Sequence, residues 1–192
     1  IFIGVLALVT MRDSREAAVS AAAVETSAAF VDAWGHSDPT AYSYLTDDAS
    51  VSIYPTIGAD QLDAEMRLRQ AMGWVYEVDG CRVITVYKFE DETRAVLCAV
   101  THHSAWSDGL GVEPITTARV TLNVLGDRVR AAKLGFNRFQ YDSEIKEWLT
   151  TNHPEDVDLM YQYPNDPTPS LSDEAIELWR RYTQEFVAEN GG

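Results

Sequence analysis

The chain has 192 residues, 46% hydrophobic and 23% charged, which is the composition of a globular protein long enough to bury a real core. Thirty acidic side chains against fifteen basic ones give a formal net charge of -15. That excess repels phosphate backbones and anionic membranes and argues against nucleic-acid binding through a basic groove. His36, His102, His103 and His153 fall in different segments with no H-x-x-x-H or H-E-x-x-H spacing. The sequence also lacks a C-x-x-C pair, a glycine-rich phosphate loop and a G-x-S-x-G elbow, so neither a metal nor a cofactor is implied.

Residues 1–13 form a first unit. The apolar run "IFIGVLALV" is far shorter than the roughly 20 residues that span a bilayer. It reads as the tail of a signal or membrane anchor, as a short buried strand, or as residues upstream of a start at Met11. The first reading implies an exported or anchored protein and the second a cytoplasmic one. A membrane is implied only through such an anchor.

Residues 14–34 predict a helix, with Ala17, Ala21, Val24, Ala28 and Val31 in one stripe widened by Phe30 and Trp34. Ser14 suits its start and Gly35 its end. Asp38 and Pro39 then open a short helix carrying Tyr42, Tyr44 and Leu45. Residues 50–56 predict a strand with Val51 and Ile53 on one side, and 59–77 a helix burying Leu62, Met66, Leu68, Ala71 and Met72. From there the period drops to two: 81–90, 92–106, 115–125 and 128–139 predict four consecutive antiparallel strands. Helices followed by a meander argue for α+β, with a curved sheet wrapped around the helices. Residues 143–192 read as an extension: a short helix, a proline-rich extended segment and a final helix with the stripe Ala175, Trp179, Tyr182 and Phe186. That stripe must cover either the body of the domain or a partner chain. Cys81 and Cys98 lie in neighbouring strands and read as buried free thiols, or as a single disulfide if the chain is exported.

Two stretches within residues 20–142 carry a family likeness. "AFVDAWGHSDPTAYSYLTDDASVSIYP" and "GLGVEPITTARVTLNVLGDRVRAAKLGFN" resemble the opening and the closing hairpin of the nuclear transport factor 2-like superfamily, within it the SnoaL-like polyketide cyclases. The resemblance implies a cone-shaped antiparallel sheet over residues 14–142 around a pocket for a small apolar ligand. It implies chemistry less firmly, since the scaffold hosts enzymes, binding modules and dimerisation domains. A homodimer is expected, because open curved sheets often pair to cover an apolar face. Many catalytic SnoaL-like members end the last strand with a pocket-facing aspartate. Here that position is Asn137, whose amide hydrogen-bonds but moves no proton.

Strand alternation sends His102 and His103 to opposite faces. His102 groups with Val96, Cys98, Val100, Ser104 and Trp106, and this set resembles a pocket wall, so His102 is the favoured acid/base residue and His103 the other catalytic candidate. Asn137 and Tyr54 are candidates to orient a ligand, with Trp106, Trp34 and Tyr44 as further binding candidates. Lys133 shares Asn137's face by simple alternation; facing inward, it would need a carboxylate or a lowered pKa, whereas a bulge would place it at a rim. The function implied is a small-molecule-binding SnoaL-like protein, in catalytic form a cofactor-independent cyclase, isomerase or hydro-lyase on a polyketide- or terpenoid-like substrate. The alternative is a non-catalytic, membrane-anchored extracytoplasmic scaffold of a transport, secretion or conjugation system.

Overall fold

The computed structural model describes residues 2–52, 56–58, 61–85, 93–135, 142–163 and 166–190. Helix α1 runs from Phe2 to Gly35 without a break, so the apolar run enters a helix and the buried-strand reading falls. Among the described residues no helix is long and apolar enough to cross a membrane. The inward stripe of α1 is Ala23, Ser27, Phe30, Val31 and Trp34, rotated from the predicted one, with Ala17 and Ala21 exposed. The Ser27 hydroxyl donates back to the Ala23 carbonyl at 2.8 Å, which lets a polar residue sit in that stripe.

A 3-10 turn over Pro39–Tyr44, capped by Asp38, leads into β1 (Leu45–Ser52), which begins five residues earlier than expected and carries Asp47 and Asp48 within it. Then follow β2 (Thr56–Gly58), α2 (Leu62–Met72), β3 (Val75–Thr85) and β4 (Arg94–His103). Gly73, at φ 63°, caps α2 in the left-handed region, so the chain enters β3 rather than continuing as helix to residue 77. A short helix α3 (Ala105–Gly109) precedes β5 (Ile115–Leu125) and β6 (Arg128–Gly135). The extension comprises α4 (Asp142–Asn152), α5 (Val157–Met160), the small hairpin β7 (Tyr161–Tyr163) and β8 (Asp166–Pro169), and α6 (Asp173–Asn190).

The six-stranded sheet has the order β2-β1-β6-β5-β4-β3. It is mixed rather than purely antiparallel, because β1 pairs parallel to β6. Register shifts interrupt β1/β6, β3/β4, β4/β5 and β5/β6, and such bulges sharpen twist and let the sheet curl over α1. Strand β4 shows the cleanest alternation: Arg94, Val96, Cys98, Val100 and His102 point inward. At its far end Arg94 forms two bonds to Glu16 of α1, at 2.8 and 2.9 Å.

Two cores result. The first lies between α1 and the concave face of the sheet, filled by Phe30, Val31, Val51, Val96, Val100, Val120, Leu122 and Val129. The second lies on the other side of α2, where Leu68, Ala71 and Met72 meet Trp106, Leu149, Met160, Trp179 and Phe186. The α6 stripe therefore covers the body of the domain, with α6 against α2 and α3.

Cys81 and Cys98 stand directly opposite one another on β3 and β4 and form a disulfide, which corrects the free-thiol reading. Replacing both by serine is expected to lower the unfolding free energy by about 3 kcal/mol for a loop of this size, as measured by urea denaturation. Gly35 ends α1 where it crosses β3: a Cβ there would lie 2.4 Å from the Tyr76 carbonyl oxygen and 2.9 Å from the Tyr76 Cβ. The same denaturation curve should show Gly35→Ala destabilising by about 1–3 kcal/mol, despite alanine's better helix propensity.

Candidate functional site

At the end of the sheet where β3 starts and β4 stops, polar and aromatic groups converge around Arg69. Glu65 and Arg69 are one helical turn apart on α2, on the face that also carries Leu62 and Met66 toward the first core. Their side chains are 7% and 0% exposed, and Arg69 Nε donates to Glu65 Oε1 at 2.5 Å. The second carboxylate oxygen, Oε2, accepts from the Trp34 indole at 3.3 Å. The guanidinium carbon lies 4.0 Å from the Trp34 ring centre, 4.5 Å from that of Tyr76 and 5.9 Å from that of Trp74. Trp34 in turn stacks on Phe30 and Tyr76, at centroid separations of 5.7 and 6.1 Å.

His102 belongs to this cluster. Register places it directly opposite Tyr76, with ring centroids 4.6 Å apart, and Trp74 meets it edge-on at 6.1 Å. Burial holds its pKa down to about 3, helped by the positive charge of Arg69 and then by His103. The imidazole is therefore neutral across the physiological range, able to donate and accept hydrogen bonds but a weak base. Tyr42, on the 3-10 turn, adds a buried hydroxyl with no hydrogen-bond partner among the described residues. Its pKa is raised, first by burial and then by the charges of Asp63 and Glu65, against Arg67.

The other candidates among the described residues lie apart from this cluster. His103 faces outward and pairs through Nδ1 with Asp108 Oδ2 at 3.1 Å. Trp106 is not on a strand: Ser104 ends β4 and caps α3 through a reciprocal pair of bonds with Ser107. The Trp106 indole thus enters the second core, donating to Thr183 Oγ1 of α6 at 2.8 Å and stacking on Phe186, and does not line the concave face. Lys133 is exposed, because the register shift between Asn123 and Val124 breaks the alternation of β6 and turns Ala132 and Leu134 inward instead. Tyr44 is half-buried against the first core. Tyr54 and Asn137 lie outside the described residues. Among the described residues no three His, Cys, Asp or Glu side chains gather as a metal set.

Sequence reasoning missed Glu65, Arg69, Trp74 and Tyr76. A signal was present, since Glu65 and Arg69 interrupt the apolar stripe of α2 at i, i+4 spacing, a pattern that reads equally well as a solvent-side pair. Trp74 and Tyr76 were hidden by extending α2 past Gly73.

No protein-family model matches the chain, and no curated protein sequence matches it. Solved structures do resemble it. A protein from Kribbella flavida DSM 17836 is 18% identical, with 67% of this chain and 98% of that one covered at a TM-score of 0.48. A candidate polyketide cyclase from Xanthomonas campestris pv. campestris is 12% identical, covering 68% and 96% at 0.45. A protein with a ketosteroid isomerase-like fold from Catenulispora acidiphila DSM 44928, in complex with trimethylamine, is 17% identical, covering 59% and 86% at 0.41. Other solved structures that it resembles are described as nuclear transport factor 2-like and SnoaL-like, at 13% and 16% identity and TM-scores of 0.36 and 0.35. The likeness is one of fold and says nothing of a substrate.

The depressed pKa of His102 has a stability consequence. In the unfolded chain the imidazole takes up a proton near its ordinary value of 6.5, in the folded chain only near 3. The unfolded state therefore binds more protons between those values, so the contribution is fully present above pH 6.5 and is lost as pH falls toward 3. Between pH 6 and 4 the parent should lose up to about 1.4 kcal/mol per pH unit more than His102→Gln. Parallel slopes in chemical denaturation at several pH values would show that His102 is not held neutral.

Proposed function

We propose that the protein binds a small, largely apolar molecule at the end of the sheet occupied by Trp34, Arg69, Tyr76 and His102, in the manner of SnoaL-like proteins. The observation that carries this reading is the assembly of a fully buried arginine, a buried neutral histidine and three aromatic rings where β3, β4, α1 and α2 meet. A core that needed only to fill space has no use for a buried charge of this kind, whereas a binding site uses a few placed polar groups among apolar ones. His102 contributes as a neutral imidazole that holds a ligand oxygen. In catalytic form the reaction is a cyclisation, isomerisation, hydration or dehydration without a cofactor, and a homodimer is the expected assembly.

A panel of neutral polyketide- and terpenoid-like compounds tests this, with thermal stability and tryptophan fluorescence as readouts. Saturable binding at one site per chain, with a concentration-dependent rise in Tm, is expected for accepted ligands. His102→Gln should weaken that binding about tenfold, through loss of a buried hydrogen bond to the ligand. Failure of every compound in the panel, and of small apolar acids as well, to bind would overturn the reading.

One observation favours a second reading, the extracytoplasmic scaffold. The Cys81–Cys98 disulfide suits an oxidising compartment, since cytosolic thiols are kept reduced. Thiol titration of the denatured chain from its native host tests it: two free thiols would remove its support.

A further inference from the structure

Arginine keeps its charge at any depth of burial, so a guanidinium with no solvent exposure must find partners for its five N–H groups in the protein or in a ligand. Arg69 finds one. Its Nε bonds to Glu65 Oε1, and the usual forked pairing with the second oxygen does not form, because Oε2 is held by the Trp34 indole 3.3 Å away. Nη1 and Nη2 are buried and have no hydrogen-bond partner among the described residues. The rings of Trp34 and Tyr76 lie close to the guanidinium carbon and stabilise the cation, but they do not take hydrogen bonds along its in-plane N–H directions.

The surroundings select the sign and the size of what completes this group. Beside burial, the charge of Arg69 helps keep the neighbouring His102 imidazole neutral. Glu65 takes only the Nε of Arg69, so Nη1 and Nη2 form a positive edge that no carboxylate meets among the described residues, in a chain whose net charge is -15. A global charge of that sign repels polyanions such as nucleotides, while a local buried cation attracts a single negative group carried on an apolar body. The N–H fork of Arg matches the two oxygens of a carboxylate.

We propose that Arg69 is an anion-binding residue that holds the carboxylate of an otherwise apolar, aromatic or aliphatic monocarboxylic acid through Nη1 and Nη2. Trp34, Tyr76 and Trp74 pack beside the body of the ligand, and Glu65 is a positioning residue that orients the guanidinium. This inference rests on the binding function proposed above and names its ligand class.

The test compares phenylacetate, 2-naphthylacetate and decanoate with their methyl esters on the parent protein, by isothermal titration calorimetry and thermal shift. At least one acid is expected to bind tenfold or more tightly than its ester. Esters or other neutral compounds that bind as well as the acids would overturn the carboxylate assignment and leave the binding function standing. Acids, esters and the neutral panel all failing would overturn both. Arg69→Lys keeps the charge without the fork and should weaken the acid about tenfold while leaving the ester unchanged; equal affinity of parent and variant for the acid would place the anion elsewhere. If Arg69→Lys does not fold, the comparison of acid with ester on the parent decides alone.

Discussion

An arginine sealed from water dictates how three parts of this protein meet. Breaking a buried ion pair by removing one partner typically costs about 3–5 kcal/mol, so Glu65 and Arg69 must stay together wherever α2 is placed. Glu65 also accepts from Trp34 near the end of α1, and Arg69 lies against Tyr76 at the start of β3. The pair therefore sets the rotation of α2 about its own axis and its depth against α1 and the sheet. The close crossing at Gly35, where no Cβ fits above the Tyr76 carbonyl, is the backbone counterpart of the same constraint.

With α2 held in this way, its opposite face becomes the floor of a second core. Leu68, Ala71 and Met72 are apolar and would be exposed on an isolated cone, but α6 lays Trp179, Tyr182 and Phe186 across this region. Fully burying side chains of this size contributes roughly 1.5–3 kcal/mol each, so the extension is an integral wall of the molecule. The Trp106–Thr183 bond shows how closely the parts are joined: an indole from α3, just after β4, finds its acceptor on the last helix, 77 residues away. Trp74 packs against this second core and also touches His102, so the site lies where the two cores adjoin.

The stretch around His102 shows what local pattern conveys. Period-two alternation was enough to predict that His102 points inward with Val96, Cys98 and Val100 while His103 points out, because side-chain direction in a strand is a local property. The prediction failed two residues later. Ser104 is a helix cap as readily as a strand residue, and its bonds with Ser107 turn the chain into α3, which carries Trp106 into a different core. Lys133 stayed open for a similar reason: alternation alone put it inward and a bulge put it at a rim, and the bulge that exposes it depends on the partner strand, which the sequence of β6 alone does not reveal. The two cysteines were legible as neighbours on adjacent strands, but a bond between them requires that they stand directly opposite, and this register comes from pairing along all of β3 and β4.

By itself, then, the sequence determined the elements whose signals are local: the helix that Gly35 closes, the strands of the meander, the amphipathic last helix, the acidic surface and the inward direction of His102. Only the tertiary structure decided which faces meet. It turned the Glu65–Arg69 pair inward, although the same i, i+4 spacing serves equally well on a solvent face. It brought Trp34, Tyr76 and His102, far apart in the chain, around one guanidinium. Long-range packing ranks the alternatives that local spacing leaves degenerate, because the cost of burying a charge depends on every group around it and not on its neighbours in sequence.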